Sequence, residues 1–120
     1  APLDMRYDTI DNGLGWSMIK EIGAQARAGA IANGVRAFVS VRQRSADRWT
    51  YTIGRLSLFI DYFDVPAILE ALNEADDATE DRWGGGDTIG GSPRVGGSKL
   101  PPSEVSRIVS DVVAKTRSGQ

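Results

Sequence analysis

The residues whose types could do chemistry concentrate in one glycine-rich segment, Trp83 to Lys99, which holds seven of the 14 glycines. Hydroxyl groups and positive charges lie among these glycines, at Thr88, Ser92, Arg94, Ser98 and Lys99. Glycine lets a backbone approach an anion closely and present successive N–H groups, while hydroxyl and cationic side chains add donors. The segment therefore predicts a site for phosphate or carboxylate.

This segment contains neither of two common phosphate-binding motifs. No Gly-Lys-Ser/Thr follows a glycine at the spacing of a Walker loop, and the GxGxxG spacing of a dinucleotide fingerprint is absent. A second interpretation is a flexible linker of glycine and serine. The hydrophobic residues Trp83, Ile89, Val95 and Leu100 recur through the segment as anchors would, which favours a shaped loop.

Composition excludes several catalytic classes. The 120 residues include no histidine and no cysteine, so a Ser-His triad, a thiol nucleophile and thiolate or imidazole metal sites are all excluded. Formal charge is −2, and no apolar run reaches the ~18 residues of a membrane span. We expect a cytoplasmic protein that binds no membrane. Because most catalytic groups are absent, we expect its function to be binding in the first place and not catalysis.

The elements that would position the segment follow from apolar spacing and turn residues. We expect a lead-in over 1–15, a helix over 16–33, a hairpin of strands over 35–44 and 49–56, a short strand over 58–62, and helices over 65–75 and 102–117. The order predicts an α/β fold, with α+β as the alternative. We expect a small mixed sheet, about three helices and a glycine-rich loop before the last helix. Residues 16–117 would form a single domain, and 118–120 a tail.

The strand over 35–44 offers a second anion surface. Strict alternation puts Val35, Ala37, Val39 and Val41 on one face and Arg36, Phe38, Ser40, Arg42 and Arg44 on the other, with Arg48 and Arg55 nearby. A solvated sheet face, balanced by eight acids between Asp61 and Asp81, is the more ordinary interpretation. The acids of 76–81 are interpreted as an exposed loop, so we assign no metal ligand and no catalytic residue.

With these elements in order, the chain resembles the C-terminal associated domain of the DHH phosphoesterase superfamily over roughly residues 16–113. That domain has an Arg-Ser pair at a strand end, a helix, and a Gly-Gly-Gly-His loop. Here Arg55-Leu56-Ser57 carries an inserted leucine, and residues 63–69 are similar to the start of the intervening helix. Gly84-Gly85-Gly86-Asp87 is similar to the loop, with aspartate where the family has histidine. The DHH motif and the metal ligands of the family's N-terminal catalytic domain are absent.

The resemblance implies that this chain is the substrate-binding half of a longer enzyme, a lobe that recognises a phosphodiester, nucleotide or polyphosphate and is inactive alone. Manganese or magnesium would sit on a partner N-terminal DHH domain, with no cofactor in this chain. The predicted phosphate-binding residues are Arg55, Ser57, Gly85, Gly86, Asp87, Gly90, Gly91, Ser92, Arg94, Gly96, Gly97, Ser98 and Lys99. The alternative is a non-enzymatic protein-interaction module with a flexible glycine-rich linker.

Overall fold

A mixed sheet of six strands carries three helices in this computed structural model, which describes residues 3–119. The strands are β1 (Tyr7–Gly13), β2 (Trp16–Glu21), β3 (Ala37–Ser45), β4 (Arg48–Arg55), β5 (Gly84–Gly85) and β6 (Ile89–Gly91). The helices are α1 (Ala26–Ala32), α2 (Val65–Asp76) and α3 (Pro102–Arg117). The expected fold class, with a small mixed sheet and about three helices, is confirmed.

The strand order across the sheet is β1-β2-β3-β4-β6-β5. Strands β2 and β3 are parallel and joined through α1, whereas every other neighbouring pair is antiparallel. The β3–β4 hairpin is in continuous register from Ala37 opposite Arg55 to Gln43 opposite Trp49, and the register shifts before Ser45 pairs with Arg48. Because β6 pairs with β4, the first part of the glycine-rich segment belongs to the sheet, and β5 forms its edge.

The main core lies between the sheet and the two longer helices. Side chains alternate along each strand, so Met18, Val39 and Ile53 face this core and pack with apolar residues of α2 and α3. On the opposite face, Ile19 and Phe38 are also buried, and α1 lies against β1 and β2 there. The sheet is thus covered on both faces over β2 and the first half of β3.

Helices α2 and α3 form where the sequence predicted them. Helix α2 starts at the N-cap Asp64, whose Oδ1 accepts a hydrogen bond from the Ala67 N–H at 3.1 Å, and Pro66 fits its first turn. It ends at Asp77, which adopts the left-handed conformation with φ of 53°. Helix α3 starts at Pro102 and ends at Arg117, the predicted bounds.

The predictions for the first third of the chain were largely wrong. Tyr7–Gly13, expected as part of a lead-in, is strand β1 and pairs with β2 in the same sheet. The helix expected over 16–33 is strand β2 followed by the short α1, because Trp16 and Met18 enter the main core while Ile19 faces the other side. Residues 1, 2 and 120, of the predicted lead-in and tail, lie outside the described residues.

Two further expectations need correction. Residues 58–62 form turns and not a strand. The outer face of β3 is basic only in its second half: Phe38 and Ser40 are buried, whereas Arg42 and Arg44 are exposed.

Candidate anion-binding cleft

A cleft of about 1110 Å³ opens where the glycine-rich segment forms the β5 edge of the sheet. Its lining comes from three stretches of chain: residues 80–86 after α2, residues 89–95 around β6, and Arg44 with residues 50–52 of the β3–β4 hairpin. Six of the predicted phosphate-binding residues line it: Gly85, Gly86, Gly90, Gly91, Ser92 and Arg94. The sheet edge therefore brings about half of the predicted site together.

Four glycines of the segment, Gly85, Gly90, Gly91 and Gly97, are constrained by the packing of the chain itself. A Cβ on Gly85 would overlap the Gly90 backbone of the neighbouring strand. A Cβ on Gly90 would lie 2.5 Å from Leu69 Cδ1 of α2, and one on Gly91 would lie 3.1 Å from the Tyr51 carbonyl oxygen. Gly97 has φ of 69°, which favours glycine, and a Cβ there would lie 2.6 Å from the Trp49 carbonyl oxygen.

Gly84 and Gly86, which also line the cleft, differ from these four. A Cβ on either would meet no atom within 4 Å, and neither has a positive φ. The folded chain supplies no steric or conformational reason for glycine at these two positions. Their effect is to leave the backbone of the sheet edge open to whatever enters the cleft.

Arg82 and Arg94 are the cations of the cleft that are free to bind an anion. Both are exposed, and within residues 3–119 neither guanidinium makes a hydrogen bond or salt bridge. The third arginine, Arg44, is already hydrogen-bonded within the chain: its guanidinium donates to the carbonyl oxygens of Val95 at 2.9 Å and Arg94 at 3.1 Å. Glu80 and Asp81 also line the cleft, so its charge is mixed.

The second half of the segment, residues 95–99, donates its hydrogen bonds internally. The N–H groups of Val95 and Gly96 donate to the two carboxylate oxygens of Asp81, at 3.2 and 2.8 Å. Ser98 Oγ donates to Asp76 Oδ2 at 2.6 Å, and the Lys99 N–H donates to Asp76 Oδ1 at 3.4 Å. The acceptors of these four donors are thus carboxylates of the same chain.

Trp83 fixes the start of the segment. Its indole stacks on Tyr51 with ring centroids 5.6 Å apart, and its Nε1–H donates to Asp76 Oδ2 at 2.8 Å. The side-chain amide of Asn73 donates to the Trp83 carbonyl and accepts from its N–H. Asp76 is buried, so its assignment to an exposed loop was wrong. Residues 83–91 are therefore held in the fold and do not form a free linker.

The anchors predicted within the segment divide into two kinds. Trp83 and Leu100 are buried, as expected. Ile89 and Val95 are exposed, so their interpretation as anchors was wrong. The Tyr51 hydroxyl donates to the Leu100 carbonyl at 2.6 Å. Burial, reinforced by the nearby Asp76 carboxylate, raises the pKa of the Tyr51 hydroxyl, which keeps it a donor.

Arg55, Ser57 and Asp87 lie at the other end of β4. Arg55 Nε donates to the Asp87 carbonyl at 3.0 Å and its Nη1 donates to the Ile60 carbonyl at 3.2 Å. Ser57 Oγ accepts from the Phe59 N–H at 3.2 Å. The Arg55 guanidinium therefore ties the turn after β5 to the turn over residues 57–60.

The thirteen predicted residues do not form one site. Asp87 is next to Thr88, whose carbonyl bonds the Arg55 N–H, whereas Ser98 pairs with Trp49 at the start of β4. Six residue steps along β4 separate these ends by roughly 20 Å. The N–H groups around Gly96 and Gly97 therefore lie beside the start of β4, at the end of this strand away from Arg55. Gly96, Gly97 and Lys99 line a separate cleft of about 230 Å³ with Arg48.

The basic face of β3 does not form the second predicted anion surface. Arg42 pairs with Glu21 at 2.9 Å, and Arg44 is bound to the glycine-rich segment. Arg48 lies 3.7 Å from Asp47, and Arg55 is bound to backbone carbonyls. Of this group only Arg36 has a side chain without a partner among the described residues.

Two features of the surface were not predicted from the sequence. Arg82 was not among the predicted residues, although its place before the buried Trp83 directs it to the cleft. The turn after β4 exposes three large apolar side chains, Leu56 by 48%, Leu58 by 59% and Phe59 by 96%. Apolar residues in a row normally indicate a buried segment, so the sequence carried no signal of this exposure.

Comparison of the chain with family models, curated proteins and solved structures finds no match. Within residues 3–119 no three histidine, cysteine, aspartate or glutamate side chains are grouped as metal ligands would be. No helix in this part of the chain is both long and apolar enough to cross a bilayer. Function must therefore be inferred from the chemistry of the cleft itself.

Proposed function

We propose that the cleft at the β5 edge binds phosphoryl groups, and that the chain is the substrate-recognising, non-catalytic domain of a DHH-type phosphoesterase. One observation carries the proposal: Arg82 and Arg94, exposed and without partners within residues 3–119, line the same cleft as Gly84 and Gly86, where nothing in the chain requires glycine. Arginine binds phosphate oxygens through its planar fork of donors, and a backbone without Cβ atoms lets the anion approach.

The edge position of β5 adds backbone donors. Hydrogen bonds in an antiparallel pair fall on alternate residues. The Gly86 N–H donates to the Ile89 carbonyl at 2.8 Å, so the N–H and carbonyl of Gly85 point away from β6. A phosphoryl group in the cleft would accept from the Gly85 N–H and from the two guanidinium groups. The bound species is a phosphodiester, a nucleotide or a polyphosphate.

Arg55 has a positioning role in this proposal. The resemblance to the DHH family implies direct phosphate contact by Arg55, but two of its nitrogens already donate to backbone carbonyls. Through the Asp87 carbonyl, Arg55 holds the turn after β5 and so the open edge at Gly86. Asp87, which takes the place of the family's histidine, is exposed in that turn.

Bond cleavage belongs to a partner in this proposal. Hydrolysis of a phosphodiester with a metal ion needs clustered hard ligands that activate water, and these would come from an N-terminal DHH domain holding manganese or magnesium. The present chain binds and orients the anion. A chain without cysteine is compatible with the reducing cytoplasm, where we place this protein.

Calorimetric titration with inorganic phosphate and with pyrophosphate tests the proposal. We expect measurable binding to the wild-type protein and a loss of about tenfold or more in affinity for Arg94→Ala, because a charge-assisted hydrogen bond contributes roughly 1.5–3 kcal/mol. Arg36→Ala is the matched control: Arg36 is also exposed and without a side-chain partner in the described residues, but it lies outside the cleft.

Equal affinities for the two variants would contradict the assignment of the cleft. Absence of binding by the wild-type protein would contradict the proposed function itself. Loss of phosphate binding in Arg36→Ala alone would indicate that the site lies at the start of β3, away from the cleft.

A protein-interaction module is the second candidate, and one observation favours it. Leu56, Leu58 and Phe59 expose apolar surface on a turn whose backbone is fixed by Arg55 and Ser57. Adjacent exposed apolar side chains on a fixed turn are typical of a docking surface. Sedimentation of the wild-type protein and of Phe59→Ser distinguishes the candidates. Self-association that the substitution abolishes, together with no phosphate binding, would favour this second function.

A further inference from the structure

The Asp81 carboxylate occupies a pair of backbone N–H groups at the rim of the proposed phosphate-binding cleft. It accepts from the N–H of Val95 and from the N–H of Gly96, one to each oxygen. Successive backbone N–H groups that converge on one anion form a binding concavity of the kind that also binds phosphate. The occupant in this structure is therefore an anion supplied by the protein.

The position of this contact links it to the cleft. Asp81 and Val95 both line the large cleft, in which Arg82 and Arg94 flank them in sequence. Asp81 and Gly96 also line the smaller neighbouring cleft with Arg48 and Lys99. The N–H pair thus lies where the two clefts meet, next to four cationic residues, and a phosphate there would have the partners that Asp81 now has.

The segment that carries Asp81 has few other ties. Residues 78–82, between α2 and β5, have no regular secondary structure. Within this stretch, the Ala78 N–H donates to the Asn73 carbonyl at 3.1 Å and Asp81 makes the two contacts with 95–96. The side chains of Glu80 and Arg82 make no hydrogen bond or salt bridge among the described residues. Release of one carboxylate would therefore free the wall of the cleft without breaking the sheet.

We propose that Asp81 is a built-in competitor of the cleft: a bound phosphoryl group displaces its carboxylate from the N–H groups of Val95 and Gly96. This inference rests on the proposed function, because it concerns the occupancy of the same cleft. The carboxylate lowers the apparent affinity in two ways. It fills a part of the site, and it places a negative charge beside Arg82 and Arg94.

Removing the competitor should tighten phosphate binding. If Asp81 occupies the N–H pair in nine of ten molecules, its removal raises the apparent affinity roughly tenfold, the inverse of the competent fraction. The experiment measures the affinity for inorganic phosphate by calorimetry for the wild type, Asp81→Ala and Glu80→Ala. Glu80→Ala is the matched control, since it removes the same charge from the same cleft without vacating a hydrogen-bonded position. We expect roughly tenfold tighter binding for Asp81→Ala and a much smaller gain for Glu80→Ala.

A spectroscopic measurement on the wild-type protein keeps the test independent of how well the variant folds. The carboxyl carbon of Asp81 should shift in the ¹³C spectrum when phosphate is added, as its two hydrogen bonds are lost. Asp81→Asn, which keeps an acceptor oxygen but loses the charge, should give an intermediate affinity.

Each outcome decides between the two proposals. Phosphate binding with equal affinities for Asp81→Ala and Glu80→Ala, or with an unchanged Asp81 carboxyl signal in the wild type, would overturn the competitor and leave the proposed function standing. No phosphate binding by any of these proteins would overturn the proposed function and the competitor with it.

Discussion

Gly97→Ala should lower stability and Gly86→Ala should lower phosphate affinity, although both replace a glycine of the same segment by alanine. Gly97 has φ of 69°, where an L-residue other than glycine is disfavoured by about 1–2 kcal/mol. The new Cβ would also lie 2.6 Å from the Trp49 carbonyl oxygen, which accepts the Ser98 N–H at 2.8 Å. Displacing that oxygen weakens a hydrogen bond worth about 0.5–1.5 kcal/mol. We therefore expect Gly97→Ala to lower the free energy of unfolding by about 2–3 kcal/mol.

Gly86→Ala meets none of these obstacles. Its Cβ would have no neighbour within 4 Å, and its φ is not positive. Alanine at such a position leaves the free energy of unfolding unchanged or raises it by up to about 1 kcal/mol, because alanine lowers the conformational entropy of the unfolded chain. The cost should fall on binding instead: we expect phosphate affinity to drop by roughly tenfold, the equivalent of one lost charge-assisted hydrogen bond.

Thermal and urea unfolding measure the stability arm, and phosphate titration measures the binding arm. At this chain length a loss of 2–3 kcal/mol corresponds to a fall of roughly 8–12 °C in Tm. If Gly86→Ala destabilises the protein as much as Gly97→Ala, the distinction between packed and open glycines is refuted. If Gly86→Ala leaves phosphate affinity unchanged, Gly86 has no role in the cleft.

Three further predictions concern the supports of the cleft. Asp76→Ala leaves the Trp83 Nε1–H and the Ser98 hydroxyl without their acceptor, so it should cost about 2–4 kcal/mol in urea unfolding; a loss below 1 kcal/mol would contradict this. Arg55→Ala removes donors from the Asp87 and Ile60 carbonyls and should cost about 1–2 kcal/mol, whereas an unchanged Tm would support a purely ligand-binding role. The raised pKa of Tyr51 means that the unfolded chain loses this proton first, near pH 10, so stability should fall above pH 10 by up to about 1.4 kcal/mol per pH unit. That slope should be smaller in Tyr51→Phe, and equal slopes would contradict the assignment.

The two longer helices and the central hairpin could be predicted because each has an unambiguous local signal. Helix α3 has Pro101 and Pro102 at its start, Glu104 in its first turn and an apolar stripe at 3.6-residue spacing. The β3–β4 hairpin has alternation on both strands. The predicted fold class, α/β with α+β as the alternative, followed from the order of these elements.

The first two strands could not be recognised from the same signals. In β1, residues 8–12 are all exposed, so this edge strand lacks the apolar alternation that marks a half-buried strand. In β2, Met18 and Ile19 are both buried because helices cover the two faces of the sheet, and such a strand reads as a continuous apolar run. The helical spacing of Ile19, Ala26 and Ala30 was real but spanned two elements.

The residue types of the candidate site were predictable from the sequence. Which of these residues face the cleft and which are used in internal packing and hydrogen bonds was not. Sequence shows that glycines and donors are present, but only the packing shows that Gly90 meets Leu69 while Gly86 faces open space. The partners of the 95–99 donors, Asp76 and Asp81, come from an acidic stretch. The sequence indicated a solvated loop there, because eight acids and no base lie between Asp61 and Asp81. Burial of Asp76 depends on Trp83 folding back against α2 and on the contact with Ser98, 22 residues away in sequence.

Titration of the ¹⁵N-labelled protein with inorganic phosphate, read over all backbone amides, tests the central claim most directly. The cleft predicts that the largest shifts cluster at Gly84, Gly85 and Gly86 and at Val95 and Gly96, with little change at Arg36 or along α3. Shifts that are absent, or that cluster away from the β5 edge of the sheet, would contradict the assignment of this cleft as a phosphate site.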